Sequence, residues 1–299
     1  MPSSDTDSSR LALFAERRPV ALFFTLAIAT SWTVWIPTLS VLPHGNVRLL
    51  AIVPGAFGPL VAAATVTMLR GESARQWLVG ALAWRRSARW YAVAVAVPLI
   101  VSVVLLGTLV GLTGSLDLTA GPEVAALLGF NLVFASLLGG GQEEFGWRGF
   151  ALPHLQARYD ALTASLLIGV VWAIWHAPMF VFGVYSENPV LYVLGILAFA
   201  VVLTWYYNSS RGQLLGAVVM HGTHNAAVNV PPMLVEGANT VAVPYEGLLA
   251  AVYWVVALVL LGRYGRTTLS SEAPVEPTWA NQRGDEPTAQ PSSTFGSDD

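Results

Sequence analysis

Glu143 and Glu144 stand side by side in Gly139-Gly140-Gly141-Gln142-Glu143-Glu144-Phe145-Gly146-Trp147-Arg148-Gly149-Phe150, within a chain that is otherwise strongly apolar. A charge at the centre of a bilayer costs from roughly 2.5 kcal/mol to above 10 kcal/mol, so such residues need partners, a wet cavity or a chemical task. On a helix, Glu144 and Arg148 share a face at an offset of about 40°, whereas Glu143 and Arg148 diverge by about 140°. Glu144 is therefore the expected ion-pair partner of Arg148. Glu143 is left free, as a carboxylate that first takes a proton and later returns it must be.

Two further apolar segments carry groups that suit the same chemistry. Val171-Trp172-Ala173-Ile174-Trp175-His176-Ala177-Pro178 sets one histidine in an aromatic helix, with Pro178 freeing a carbonyl about one turn earlier. Met220-His221-Gly222-Thr223-His224-Asn225 places His221 and Asn225 four apart on one face, where two neutral donors can hold a developing oxyanion. Each histidine segment alone is equally consistent with interhelical hydrogen bonding. A serine nucleophile has no G-x-S-x-G elbow here, and H-E-x-x-H is missing. Glu143, His176 and His221 would still be a legitimate two-histidine, one-carboxylate set for Zn²⁺. The residues together read as a hydrolytic site inside a membrane.

The elements that must position these groups follow from composition. Of 299 residues, 55% are hydrophobic and 11% charged, against about 25% charged in soluble domains, which indicates a polytopic helical membrane protein. Eight apolar spans are expected: about 19–42, 49–69, 90–112, 124–150, 162–182, 190–207, 214–230 and 245–261. They form one all-α domain over 19–265, with its chemistry in 120–230. Polar tails over 1–18 and 266–299 read as unstructured, the second acidic. The 70–89 loop carries five arginines and reads as holding a short interfacial helix around Trp77. Gly139 to Gly141 is the expected break in its helix. There is no cysteine, which excludes disulfides and thiolate chemistry. All basic residues are arginine, pointing to a prokaryotic source, and the net charge of -3 is no nucleic-acid signature. Arginines cluster in alternate loops, so the positive-inside rule predicts both termini in the cytoplasm, with Arg48 the one exception.

Glu143-Glu144-x-x-x-Arg148, Trp172-x-x-x-His176 and His221-x-x-x-Asn225, in this order and setting, resemble the CPBP family, the CAAX prenyl endopeptidases and bacteriocin-processing (Abi) proteins. The resemblance covers about residues 120–230 and departs at Trp172, where the family often has Phe. It implies an intramembrane endopeptidase acting on membrane-associated peptides or proteins. Glu143 and His176 would activate water, His221 and Asn225 would stabilise the oxyanion, and Glu144 and Arg148 would orient the site. Members are described both as metalloproteases and as metal-free glutamate proteases, and the lack of a compact zinc motif favours the metal-free form. Two other readings compete: a non-enzymatic scaffold or bacteriocin-immunity factor, and an ion-coupled transporter, which would call for repeated halves that the sequence does not display.

Overall fold

The structure is a computed structural model describing residues 4–82, 87–119, 121–238 and 241–276. Its regular structure is helical, and among the described residues seven helical stretches are long and apolar enough to cross a membrane: Pro19–Val41, Asn46–Leu69, Ala88–Thr113, Gly121–Gln156, Ala161–Val181, Pro189–Ser209 and Tyr245–Tyr264. The eighth expected span, around 214–230, is a 14-residue helix. At 1.5 Å per residue it covers about 21 Å, less than the hydrocarbon thickness of a bilayer.

In chain order, α1 (Ser4–Arg17) leads into α2 (Pro19–Val41), α3 (Asn46–Ile52), α4 (Gly58–Leu69), α5 (Ala74–Ala81) and α6 (Ala88–Thr113). Next come α7 (Gly121–Leu137), α8 (Glu144–Gly146), α9 (Leu152–Gln156), α10 (Ala161–Trp175) and α11 (Ala177–Val181). Last are α12 (Pro189–Ser209), α13 (Leu214–Ala227), α14 (Pro231–Leu234) and α15 (Tyr245–Tyr264). The interfacial helix expected near Trp77 is α5, capped by Ser73 accepting from the Gln76 N–H at 3.2 Å. Bundle contacts are dominated by α12 on α15, α13 on α7 and α6, α2 on α4, and α10 on α12. Trp32 and Trp35 tie helices together. Trp32 Nε1–H donates to the Trp175 carbonyl at 2.9 Å and Trp35 Nε1–H to the Ile52 carbonyl at 2.7 Å.

Both polar termini carry more structure than their composition suggests. Ser4–Arg17 is helical, and Ala15 is fully buried. Beyond α15 the chain folds back: Ala161 N–H donates to the Thr267 carbonyl at 2.9 Å, Leu269 is fully buried and Glu272 pairs with Arg211 at 3.0 Å. A buried leucine and backbone pairing outweigh the polar composition there. Residues 277–299, the rest of the expected tail, lie outside the described residues, as do Arg85 and Arg86.

The contacts at the two ends of the bundle are distinct. One end joins Arg70 to the Ala15 carbonyl, Arg266 to Asp160 at 2.6 Å and Arg211 to Glu272. The other joins Asn188 N–H to Glu246 at 3.0 Å, Asp117 N–H to the Leu234 carbonyl at 2.8 Å and Arg48 to the Phe182 carbonyl at 2.7 Å. Arg48, the exception in the charge pattern, is thus buried and used as a hydrogen-bond donor.

Candidate active site

Glycines shape the segment that carries the carboxylates. The helix α7 stops at Leu137, and Gly140 takes φ +141°, a conformation closed to L side chains. The chain restarts as a 3-10 turn over Gly141–Glu143 and continues through α8 and a π-helical turn, Trp147–Ala151, into α9. This is the expected break at Gly139–Gly141. Gly146 has a different task, because a Cβ there would lie 2.6 Å from both Cβ and the carbonyl oxygen of Pro59. Its bare backbone lets the carboxylate segment press against α4.

The expected ion pair forms: Arg148 Nη1 lies 3.1 Å from Glu144 Oε1 and 3.0 Å from Oε2, with both side chains fully buried. The guanidinium also covers the Trp172 ring, 5.0 Å from its centroid. Glu144 does more than pair with arginine, because His221 Nδ1–H donates to its Oε1 at 2.7 Å. The carboxylate therefore fixes the His221 tautomer. A neutral imidazole so held presents Nε2 as an acceptor and becomes a donor there only on protonation.

Glu143 is free of arginine but not of partners. Its Oε2 accepts from Trp172 Nε1–H at 2.7 Å and from Trp147 Nε1–H at 3.4 Å. Neither indole was singled out from the sequence as a partner of Glu143. The i, i+4 spacing of Glu143 and Trp147 could have signalled one of them; Trp172 is 29 residues away and gave no signal.

His176 sits at the junction of α10 and α11, just before Pro178. Its Nδ1–H donates to the Trp172 carbonyl at 2.9 Å, leaving Nε2 unprotonated. Asn225 Nδ2–H donates to the Gly139 carbonyl at 2.7 Å, so one of its two amide hydrogens holds the glycine turn and one remains. His224 lines the same cavity as these groups, with Nδ1 2.7 Å from the Tyr253 hydroxyl and its ring 4.2 Å from that of Phe199.

Glu143, His176, His221 and Asn225 all line one cavity of about 360 Å³, whose lining also includes Tyr185, Glu187, Tyr245 and Glu246. A second cavity of about 290 Å³, walled by Trp35, Leu49, Leu50, Phe134 and Met179, also reaches Glu143 and His176. Glu144 and Arg148 line neither; they lie behind His221 and Trp172. Among the described residues no group of three or more His, Cys, Asp or Glu side chains is disposed to hold a metal ion. Glu143, His176 and His221, the candidate zinc set, do not form one in this geometry.

Fold and site together define a polytopic helical membrane protein with carboxylate, imidazole and amide groups gathered in an internal cavity. Residues 125–227, which hold all of these groups, match the family model described as "Type II CAAX prenyl endopeptidase Rce1-like". The match is confined to this core, about a third of the chain. A similar protein is CAAX prenyl protease 2 of Methanococcus maripaludis, 30% identical over 99 residues, which are 30% of this chain and 36% of that protein. The match thus spans about a third of the relative's length.

Proposed function

We infer that the protein is an intramembrane endopeptidase that hydrolyses a peptide bond in membrane-associated peptides or proteins. The observation that carries this reading is the convergence of Glu143, His176, His221 and Asn225, from three separate chain segments, on one cavity. Structural bracing alone would not call for a carboxylate held away from the buried arginine and turned to an open chamber.

The reaction follows from the hydrogen-bond roles. A water between the Glu143 carboxylate and His176 Nε2 meets two acceptors, which align both its hydrogens and turn its lone pair towards a substrate carbonyl. Glu143 takes one proton as the oxygen–carbon bond forms. The oxyanion is met by the remaining Asn225 N–H and by the His221 ring, which Glu144 holds in place. Collapse breaks the carbon–nitrogen bond, and Glu143 passes its proton to the departing amine. No step in this scheme uses a metal.

Charge distribution supports both termini in the cytoplasm. In that orientation the wall of Tyr185, Glu187, Tyr245 and Glu246 lies towards the opposite face, and substrate enters from there.

The test is cleavage of a quenched-fluorescent peptide library by the detergent-reconstituted protein, beside Glu143→Ala, with and without a strong chelator. Cleavage that survives chelation and disappears in Glu143→Ala is expected. Cleavage lost to the chelator and restored by Zn²⁺ would replace the metal-free mechanism. Equal cleavage by both proteins would remove the peptidase assignment.

A further inference from the structure

The two cavities meet at four residues, Gly139, Glu143, His176 and Tyr185, each of which lines both. A peptide running from one chamber to the other passes this junction. Three of the four groups there are acceptors. The Glu143 carboxylate only accepts when ionised. His176 has spent its proton on the Trp172 carbonyl. Gly139 donates its N–H to the Phe134 carbonyl at 3.1 Å, so only its own carbonyl is left. A scissile carbonyl needs a donor, and the tetrahedral oxyanion needs one more strongly.

Tyr185 supplies the only hydroxyl among these four residues. It comes from the short connection between α11 and α12, outside all three motifs. Its position is tightly defined. The ring lies 5.8 Å from that of His176, 5.4 Å from Phe180 and 5.4 Å from Tyr192, and its backbone N–H donates to the Met179 carbonyl at 3.1 Å. A phenol hydroxyl can donate as well as accept, which the other three groups at the junction cannot do in these roles.

We propose that the Tyr185 hydroxyl donates a hydrogen bond to the scissile carbonyl oxygen, which shortens as the oxyanion develops. Tyr185 is then a catalytic residue contributed by a loop, facing His221 and Asn225 across the chamber. The inference rests on the peptidase reading above.

The test compares wild type, Tyr185→Phe, Tyr192→Phe and Glu143→Ala on one cleavable peptide, with kcat and KM read separately. Removing a single oxyanion donor lowers kcat by about 10²–10³. Tyr185→Phe is expected to show that loss with KM within about threefold of wild type. Tyr192→Phe, which keeps the ring packed 5.4 Å from that of Tyr185, is expected to lose less. Binding of the uncleaved peptide to Glu143→Ala and to Glu143→Ala/Tyr185→Phe separates chemistry from folding, and equal Kd values are expected. Tyr185→Phe within threefold of wild type in kcat, beside an inactive Glu143→Ala, would overturn the role of Tyr185 and leave the peptidase reading standing. So would a matching loss of peptide binding in the double variant. A wild type that cleaves no better than Glu143→Ala would overturn both.

Discussion

Removing Glu144 tests the internal logic of the site, because that carboxylate holds two partners at once. Glu144→Ala deletes the bonds to Arg148 Nη1 at 3.1 and 3.0 Å and the 2.7 Å bond from His221. Arg148 is fully buried, and its Nε and Nη2 have no other hydrogen-bond partner among the described residues, so only the Trp172 ring face remains. Breaking one side of a buried pair costs about 3–5 kcal/mol, since the other charge is left uncompensated. Arg148→Met is expected to cost less, because Glu144 keeps the bond from His221. The double variant Glu144→Ala/Arg148→Met removes both charges and leaves His221 Nδ1–H unpaired, at about 1–3 kcal/mol. The two single effects therefore exceed the double, with a coupling of about 1–3 kcal/mol. Denaturant titration in mixed micelles, followed by far-UV circular dichroism, reads all four proteins. Additivity within about 0.5 kcal/mol would refute the claim that these side chains form one buried unit.

Gly140→Ala adds a Cβ at φ +141°, 2.8 Å from His221 Nε2 and in contact with Asn225 Nδ2. It should abolish cleavage while the far-UV spectrum stays native. Asp160 caps α10, and its carboxyl is held below the ordinary range first by the Thr163 backbone N–H and further by Arg266. A lowered folded pKa gives stability that is present above the unfolded value near 4 and lost as pH falls through the folded value. Asp160→Ala should cost about 1 kcal/mol at neutral pH, and the gap to wild type should close in acid denaturation profiles. The chain has no cysteine, so single introduced thiols report sidedness without interference. Cysteine at Glu187 or Glu246 should react with an impermeant maleimide on intact cells, and cysteine at Arg158 or Arg211 only after lysis. The reverse pattern would invert the orientation.

Local relations were the ones legible in the chain. The Glu144–Arg148 pair needs only a helical turn, and the three glycines before Glu143 announce a break whatever surrounds them. The short helix at Trp77 followed from its loop composition in the same way. What escaped notice depends on packing between distant segments. The Trp172 indole reaches Glu143 across 29 residues, and His221 reaches Glu144 across 77. Tyr185 carries no spacing signal because it lies in a loop whose course is set by the elements around it. The terminal segments misled because composition reports average polarity, whereas buried Leu269 and the hydrogen bonds around it dock the chain after α15. The eighth span was read at full length, but Val228 and the residues after it leave the helix.

The central claim is that Glu143 delivers water to a peptide bond. Reconstituted protein incubated with a cleavable peptide in oxygen-18 water, with products read by mass spectrometry, tests it most directly. Wild type should yield two fragments, the new carboxyl terminus carrying one heavy oxygen, and Glu143→Gln should yield none above background. Intact peptide with wild type, or labelled fragments formed equally by Glu143→Gln, would contradict the account.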